Sequence, residues 1–457
     1  MNHQKLSRAI FSVAVVSLVL VFAAIEAFAV PSFKRQTGQD CMTCHTIFPE
    51  LTSVGRAFKL TGYVLNKKMT SYQFPPPLSG MAQMSFTHTK SAQPSDSVAD
   101  VWSSHFLSSG NDNIAAPQQA SLFYAGQIYD KLGAFVQGTY ASDTNKVAMD
   151  FADIRYANSF SLCDKDFIYG ITLNNNPTGE DLWNTTPAFS FPYAASNVAP
   201  TPAASTLIDN TLATQVGGVG LYAYYNSWVY AAFTVYRTTD TGITYPFGAG
   251  NTISTIVDGA APYWRVALQH QWNDHSFELG TYGMAANVFS EPYTNSPTNH
   301  FTDVALDAQY QFIHANHVFS AQTTWIHENQ NLAGSFALGN AENQYNSLNT
   351  YKINLNYYYR SKLGTIGGSG GFFSTTGSTD TGLYASDPVG GSYTGSPNSN
   401  GFILEMDYLA PWQYAYTKFS VQYVIYNKFN GSGTNYDGFG RNASGNNTLY
   451  LLVWLAF

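Results

Sequence analysis

The stretch Tyr351-Lys-Ile-Asn-Leu-Asn-Tyr-Tyr-Tyr-Arg360 alternates between two kinds of side chain. The first set is Tyr351, Ile353, Leu355, Tyr357 and Tyr359, and the second is Lys352, Asn354, Asn356, Tyr358 and Arg360. Successive side chains of a β-strand point to opposite faces, so this pattern predicts a strand with an apolar face and a polar face. We expect the apolar face to meet lipid and the polar face to meet a lumen, as in a transmembrane β-barrel.

The same alternation recurs from Gly80 to the end of the chain. In 303–312, Asp303, Asp307, Gln309 and Gln311 oppose Val304, Leu306, Ala308, Tyr310 and Phe312. The pattern predicts sixteen strands, at 80–89, 119–129, 131–141, 148–158, 166–174, 214–225, 227–237, 262–273, 275–286, 300–313, 317–328, 348–360, 364–375, 400–410, 415–428 and 446–457. Most have the roughly 9–11 residues that a tilted strand needs to cross a bilayer.

The connections between these strands are of two kinds. Tight turns such as Asp130-Lys131, Asn226-Ser227, Asn273-Asp274 and Ala315-Asn316 alternate with long polar segments. The long segments are 90–118, 175–213, 238–261, 287–299, 329–347, 376–399 and 429–445, and only 142–147 is brief. Short periplasmic turns with long external loops are the usual asymmetry of outer-membrane barrels, so the long segments are all predicted to lie outside the cell.

The composition agrees with a barrel. Of the 457 residues, 11% are charged and 16% are aromatic, and the mean hydropathy is −0.14. Soluble domains usually carry about 25% charged residues, while no apolar run after residue 30 reaches the roughly 18 residues of a membrane helix. The net charge of −8 argues against a nucleic-acid partner.

Residues 1–29 have the pattern of a secretory signal peptide. Lys5 and Arg8 precede an apolar stretch, and Ala27-Phe28-Ala29 is a small-x-small cleavage site. The sequence then divides into a segment at 30–77, which ends in Phe74-Pro-Pro-Pro77, and the predicted barrel at 78–457. We therefore expect export to the bacterial outer membrane, in contact with its lipid.

The segment at 30–77 contains Cys41-Met-Thr-Cys44-His45, the attachment signature of a c-type haem. Its two thiols are spaced to bond the porphyrin vinyl groups, and His45 is placed to be an axial ligand of the iron. After it, Pro49 to Leu60 is expected to form a short helix with Leu51, Val54, Phe58 and Leu60 on one side, packed on the porphyrin. The prediction is a small α-helical mono-haem cytochrome segment joined to an all-β, 16-stranded antiparallel barrel.

Two other interpretations of the cysteines fit less well. A dithiol redox site is expected within a βαβ unit, which the pattern lacks. A structural zinc site needs a second ligand pair, and Cys163 is the only other cysteine in the sequence. Cys163 lies in Ser-Leu-Cys-Asp-Lys-Asp, a predicted turn, and is interpreted as a bystander thiol.

Several motifs resemble those of the fused outer-membrane cytochrome–porins of iron-oxidising bacteria. They are Cys41–His45, Phe48-Pro-Glu-Leu-Thr52, Gly55-Arg-Ala-Phe-Lys-Leu-Thr-Gly-Tyr63, and Gln422–Gly431 with Asn446–Tyr450 near the C-terminus. The resemblance implies an iron oxidase with one covalent haem c. It also implies extracellular Fe(II) as electron donor and periplasmic electron-carrier proteins as acceptors.

The second axial ligand of the haem iron is left open by the sequence. Candidates are Met69, Met81, Met84 and His88, and a five-coordinate haem is an alternative. A methionine ligand raises the haem potential, which suits oxidation of Fe(II). Strand parity places Met81 towards the lumen and Met84 towards lipid, so Met81 or Met69 is favoured.

Charged side chains are predicted along the lumen. They are Asp153, Arg155, Arg265, Glu278, Asp303, Asp307, Glu328, Lys352, Arg360, Glu405 and Asp407. Carboxylates could bind Fe(II) and cations could pair with haem propionates, but the simpler expectation is that these groups hydrate the lumen.

Two further functions stay compatible with the sequence. One is a diffusion porin whose cytochrome is a plug or a sensor, and the other is an electron conduit for a different extracellular redox partner.

Overall fold

A computed structural model describes residues 31–64, 76–93, 110–179, 181–187, 190–292, 295–412 and 415–457. The predicted signal peptide at 1–29 and the candidate ligand Met69 lie outside the described residues. None of the described helices is both long and apolar enough to cross a membrane.

The described chain forms sixteen strands that close into one antiparallel barrel. Their bounds are β1 Leu78–Thr89, β2 Asp112–Tyr129, β3 Leu132–Ala141, β4 Lys146–Leu162, β5 Lys165–Asn174, β6 Val216–Tyr225, β7 Val229–Thr238, β8 Ala261–Trp272, β9 His275–Phe289, β10 Thr298–His314, β11 His317–Asn331, β12 Tyr345–Ser361, β13 Gly364–Gly377, β14 Ser399–Leu409, β15 Tyr416–Lys428 and β16 Thr448–Ala456. Each strand pairs with its neighbours in sequence, and β1 closes the barrel by pairing with β16. The predicted 16-stranded antiparallel barrel is confirmed.

Strand β2 begins seven positions before its predicted start, at Asp112 instead of 119. Its pairing with β1 shifts register opposite Gln83 and Ser85, so that Gln119 and Ala115 are consecutive paired positions. Pro117 falls within this irregularity, where a residue without a backbone N–H leaves no ladder hydrogen bond unmade. The strand therefore continues past a proline that would ordinarily interrupt the pattern.

The two faces of the barrel wall differ as the alternation predicts. On the outside, Leu306 and Leu355 are 52% and 48% exposed, whereas the inward Asp307 and Asn356 are 4% and 1% exposed. Apolar side chains cover the outer surface of a closed wall whose backbone groups are paired, which is the solution a bilayer requires. The chain is an outer-membrane β-barrel protein in contact with lipid.

The two ends of the barrel are distinguished by their connections. At one end, here called the turn end, adjacent strands are joined by tight turns such as Asn226-Ser227, whose φ angles are 52° and 56°. Two consecutive left-handed residues form the hairpin turn that matches strand twist. Cys163 also lies in a turn at this end, with a φ of 51°, as predicted. The opposite end, here called the loop end, carries the longer connections.

Four short helices and three helical turns complete the described secondary structure. They are α1 Ser32–Thr37, α2 Cys41–Cys44, α3 Ser53–Leu60 and α4 Ala333–Ala337, with helical turns at Leu207–Thr211, Gly242–Gly248 and Ala443–Asn446. Residues 31–64, here called the plug, contain α1 to α3.

The plug lies inside the barrel, because it contacts inward side chains of strands on all sides. Gln36 Nε2 donates to the Ala125 carbonyl of β2 at 2.9 Å, and Tyr63 donates to Asp153 of β4 at 2.6 Å. The opposite wall is reached by Glu50, which accepts hydrogen bonds from β10 and β11. Only a segment within the lumen can touch all of these strands.

Helix α3 begins at Ser53, four residues later than the predicted start at Pro49. Thr52 precedes it as N-cap, and its hydroxyl accepts from the Gly55 amide at 3.4 Å. Leu51, Phe58 and Leu60 are buried as expected, but Val54 is exposed. Val54 does not share the side of α3 that packs on protein, because that side passes through Gly55 and Arg56, which face α2 and the barrel wall.

The connection between β5 and β6 does not lie outside the barrel as predicted. Residues 175–215, here called the inner loop, include Asp181 and Trp183, both without exposed surface. Lys59 of the plug donates to the Gly179 and Asp181 carbonyls, each at 2.7 Å. The inner loop therefore folds back into the lumen and packs on the plug.

Candidate haem-attachment site

Helix α2 is a single turn that presents both cysteines. The His45 amide donates to the Cys41 carbonyl at 2.9 Å, and this closes the turn Cys41–Cys44. Residues three apart on a helix share a face, so the two thiols lie on the same side. Both are free and partly exposed, as attachment to a porphyrin requires.

His45 follows the turn with its ring packed against Phe48. The two ring centroids are 4.3 Å apart in an edge-to-face arrangement. Burial lowers the pKa of His45 to about 4, so the imidazole is neutral above that pH, the form that binds metals. Its Nδ1 atom is buried without a completed hydrogen bond to the described residues.

The N-terminal end of helix α3 packs against the turn Cys41–Cys44. The Thr52 amide donates to the Cys44 carbonyl at 2.9 Å, and the Thr52 hydroxyl donates to the Thr43 carbonyl at 2.6 Å. A Cβ on Gly55 would lie 2.2 Å from the Cys44 carbonyl oxygen. Glycine at this position therefore allows α3 to approach α2 directly.

Glu50 fastens the same segment to the barrel wall. Its carboxylate accepts from Gln322 Nε2 at 2.7 Å and from Gln311 Nε2 and Ser320 Oγ, both at 3.1 Å. Burial raises the pKa of Glu50, and these neutral hydrogen-bond donors partly oppose the shift. The sequence pattern did not single out Glu50, because one carboxylate within a short polar motif carries no periodic signal.

Arg56 connects α3 to both the wall and the inner loop. Its Nη1 atom donates to Gln311 Oε1 at 2.8 Å, and its guanidinium carbon lies 3.9 Å from the centroid of a Trp183 ring. This cation–π contact is buried, where such contacts are strongest. The plug, the wall and the inner loop thus form one packed unit.

Apolar side chains from distant parts of the chain surround His45 and Phe48. Ile47 packs with Tyr358, Leu409 and Tyr416 of the wall, and Phe48 packs on a cluster that contains Met81, Tyr450, Leu452 and Trp454. Ring centroids of Phe48 and Tyr416 are 4.1 Å apart. Tyr416 begins β15 and Trp454 lies near the end of β16, so this apolar shell is at the turn end.

The candidate distal ligands lie in different parts of the barrel wall. Met81 faces inward, is buried, and belongs to the cluster beside Phe48. Met84 is 38% exposed on the outer face, where it cannot reach the lumen. His88 Nδ1 lies 2.6 Å from Asp112 Oδ1 at the loop end of β1. Of the candidates within the described ranges, only Met81 belongs to the cluster on which Phe48, the ring neighbour of His45, packs.

Three polar atoms on inward-facing side chains of the barrel wall near this shell have no hydrogen-bond partner among the described residues. They are Arg360 Nε, the Tyr416 hydroxyl and Trp454 Nε1. Buried polar groups are normally paired, so these atoms point to a group that belongs between the wall and the plug. The site thus combines two neighbouring free thiols, a neutral histidine, an apolar shell and hydrogen-bond donors without acceptors. This set of residues fits haem c.

The predicted lumen charges face inward but do not hydrate an open channel. Arg265 shows why: its Nη2 atom lies 2.5 Å from Glu278, its Nη1 atom 2.9 Å from Asp307, and its Nε atom 3.0 Å from Asp181 of the inner loop. All four side chains are almost completely buried. The charges connect the wall to the segments that fill the lumen.

A second buried network, nearer the turn end of the wall, includes a lysine that was not among the predicted lumen charges. Lys418 Nζ lies 2.8 Å from Glu405 and 3.2 Å from Asp407, and Tyr358 donates to Asp407 at 2.8 Å. Lys418 has the inward parity of β15, so the same alternation would have found it. Within the described ranges, no group of three His, Cys, Asp or Glu side chains is placed to hold a metal ion.

No family model and no curated protein sequence matches the chain. Among solved structures, it is similar to outer-membrane expressed OmpT of Vibrio cholerae, with 8% identity and a TM-score of 0.42 over 83% of this chain and 97% of that one. An anion-selective porin from Comamonas acidovorans has 11% identity and a TM-score of 0.44 over 83% and 98%. The outer membrane channel DcaP of Acinetobacter baumannii has 10% identity and a TM-score of 0.44 over 83% and 96%.

Proposed function

We propose that this protein is an outer-membrane electron conduit that oxidises extracellular Fe(II) and reduces periplasmic electron-carrier proteins. The observation that carries the proposal is the position of Cys41-x-x-Cys44-His45 inside the lumen at the turn end. The motif signals covalent haem c, and short turns mark the periplasmic side of a barrel. A redox group there would be within reach of a soluble periplasmic partner.

The residues have distinct roles in this proposal. Cys41 and Cys44 would hold the porphyrin through thioether bonds, His45 would bind the iron, and Met81 is the proposed second iron ligand. Haem c, when bound, would supply one-electron chemistry. A methionine ligand would raise its potential, which would help the site to take electrons from Fe(II).

The reaction class is that of an Fe(II):cytochrome c oxidoreductase. Each Fe(II) loses one electron and becomes Fe(III), and each oxidised carrier on the periplasmic side gains one. The iron changes only its oxidation state and coordination shell, so the protein contributes positioning and tuning of the redox group. The identity of Fe(II) as donor rests on the resemblance to the cytochrome–porins of iron-oxidising bacteria.

A diffusion porin with a cytochrome plug is the main alternative. The plug is held to the wall and the inner loop by hydrogen bonds that Arg56, Lys59 and Tyr63 donate and by those that Glu50 accepts. The ion pair of Arg265 with Asp181 holds the inner loop to the wall from the other side. Because both segments fill the lumen, electron transfer is favoured over passage of solutes.

Stopped-flow mixing of the oxidised, purified protein with Fe(II) at low pH tests the proposal. We expect the absorption spectrum to change to that of reduced haem, and to return to that of oxidised haem when an oxidised c-type cytochrome is then added. Protein carrying Cys41→Ala and Cys44→Ala is the control, since it keeps the plug but not the attachment site. Haem that stays oxidised in Fe(II), yet is reduced by another one-electron donor, would establish a conduit with a different donor.

A further inference from the structure

Three wall atoms beside the attachment site share one chemical character. The N–H groups of Arg360 Nε and Trp454 Nε1 can only donate hydrogen bonds, and the Tyr416 hydroxyl can donate one. All three are buried without a partner among the described residues. The three are here called the donor arc.

The donor arc converges on the plug immediately after the haem motif. Arg360 Nη2 donates to the His45 carbonyl at 3.3 Å, so its Nε atom is held in the same place. Tyr416 and Trp454 both pack on Phe48, with ring centroids 4.1 and 6.4 Å from it and 6.4 Å from each other. The Phe48 amide faces the Tyr416 hydroxyl without completing a hydrogen bond.

Unpaired donors in this position are costly. Each buried donor without a partner destabilises the fold, and a packed wall would not accumulate three of them beside one another without compensation. A single trapped water accepts at most two hydrogen bonds, so it cannot pair all three donors at once. A carboxylate is the strongest acceptor for such donors.

We propose that the donor arc binds the propionate carboxylates of the haem, so that the barrel wall completes the cytochrome. The inference rests on the proposed attachment of haem c to Cys41 and Cys44. A segment as small as the plug cannot bury a porphyrin by itself, so the barrel wall has to supply part of the surroundings of the cofactor. Arg360, Tyr416 and Trp454 therefore act as positioning residues for the cofactor.

The test uses the full-length holoprotein with Trp454→Phe and Tyr416→Phe, which remove one donor each and keep a ring. Matched controls are Trp325→Phe and Tyr423→Phe on the outer face, where the parent residues are 40% exposed. The midpoint potential of the haem is titrated against pH in detergent. Covalent haem on denaturing gels and the gel mobility of the unheated barrel are measured in parallel.

Loss of a donor to an ionised carboxylate disfavours the ionised form and raises its pKa. We expect each donor variant to raise the proton affinity of a propionate about tenfold or more, because a hydrogen bond to a charged group is lost. The pH range over which the midpoint potential changes therefore shifts to higher pH in the donor variants, whereas the control variants match the wild type. Arg360→Lys, which keeps the charge but loses Nε–H, is expected to shift it in the same direction.

The outcomes separate this inference from the function on which it rests. A folded donor variant with covalent haem and an unchanged pH profile overturns the donor arc, whatever the electron donor. Wild-type protein without covalent haem overturns both proposals. If one donor variant fails to fold, the other is decisive alone, because each removes a different donor from the same arc.

Discussion

Glu50 is a buried carboxylate whose hydrogen-bond donors on the wall are two amides and a hydroxyl. Gln311, Ser320 and Gln322 approach it from β10 and β11, so a single side chain joins the haem-motif segment to the wall. Its loss would leave several buried donors unpaired at once.

Replacement Glu50→Ala is therefore expected to loosen the plug. Each donor left unpaired costs about 1–3 kcal/mol, and amide hydrogen exchange of residues 31–64 should accelerate while the barrel strands stay protected. Glu50→Gln is the matched control, because it keeps the shape and part of the hydrogen bonding, and its exchange should fall between the wild type and Glu50→Ala. Equal exchange in all three proteins would show that Glu50 is not an anchor.

Met81 and Met84 lie three residues apart on β1 but on opposite faces of the wall. Met81→Leu is expected to abolish the long-wavelength sulfur-to-iron band of the oxidised haem and to lower its potential, since a methionine ligand raises it. Met84→Leu should leave the spectrum unchanged because its side chain faces lipid. If Met81→Leu also leaves it unchanged, Met81 is not the distal ligand, and Met69→Leu becomes the next variant to examine.

At the scale of elements, the contact between α2 and α3 determines how the two thiols are presented. Gly55→Ala would place a methyl group 2.2 Å from the Cys44 carbonyl oxygen, and α3 would have to move away. We expect a reduced yield of covalent haem and faster proteolysis of the plug. Val54→Ala on the exposed side of the same helix is the control, and a similar yield from both variants would contradict the packing argument.

The strands could be predicted from sequence because every second side chain meets lipid, and this imposes a period of two. Within the segment before the barrel, Cys41, Cys44 and His45 could be singled out as candidates because attachment of a haem requires that spacing. The inner loop could not be placed, because Asp181 and Trp183 lie in a polar, turn-rich stretch with the composition of an external loop. Only the fold shows that Arg265 provides a buried cation for that loop.

The sequence of β16 carries a further signal of the site. The inward face of β16 carries Tyr450, Leu452 and Trp454, all buried, while Leu451 on the outer face meets lipid. A strand that is apolar on both faces cannot border a water-filled lumen. That departure from alternation indicates that something packs against the inner wall, and in the structure Phe48 does so.

At the scale of the whole molecule, the plug and the inner loop occupy the lumen together. We expect the wild-type protein to show little conductance in planar bilayers, and removal of residues 31–64 to raise it. The Cys41→Ala and Cys44→Ala double variant should stay closed, since it keeps the plug and loses only the thiols. High conductance of the intact wild-type barrel would instead support a diffusion porin.

The pairing of β1 with β16, here called the closing seam, determines when the surroundings of the site can be completed. Met81 belongs to the first strand, Tyr416 and Trp454 belong to the last two, and Met81 is paired with Ala456 across the seam. During biogenesis the segment with the haem motif is exported first, but its surroundings do not exist until the C-terminal strands have been inserted. A cofactor attached early would thus experience its final environment only when the last strand joins the first, and its redox potential would report that the barrel has matured.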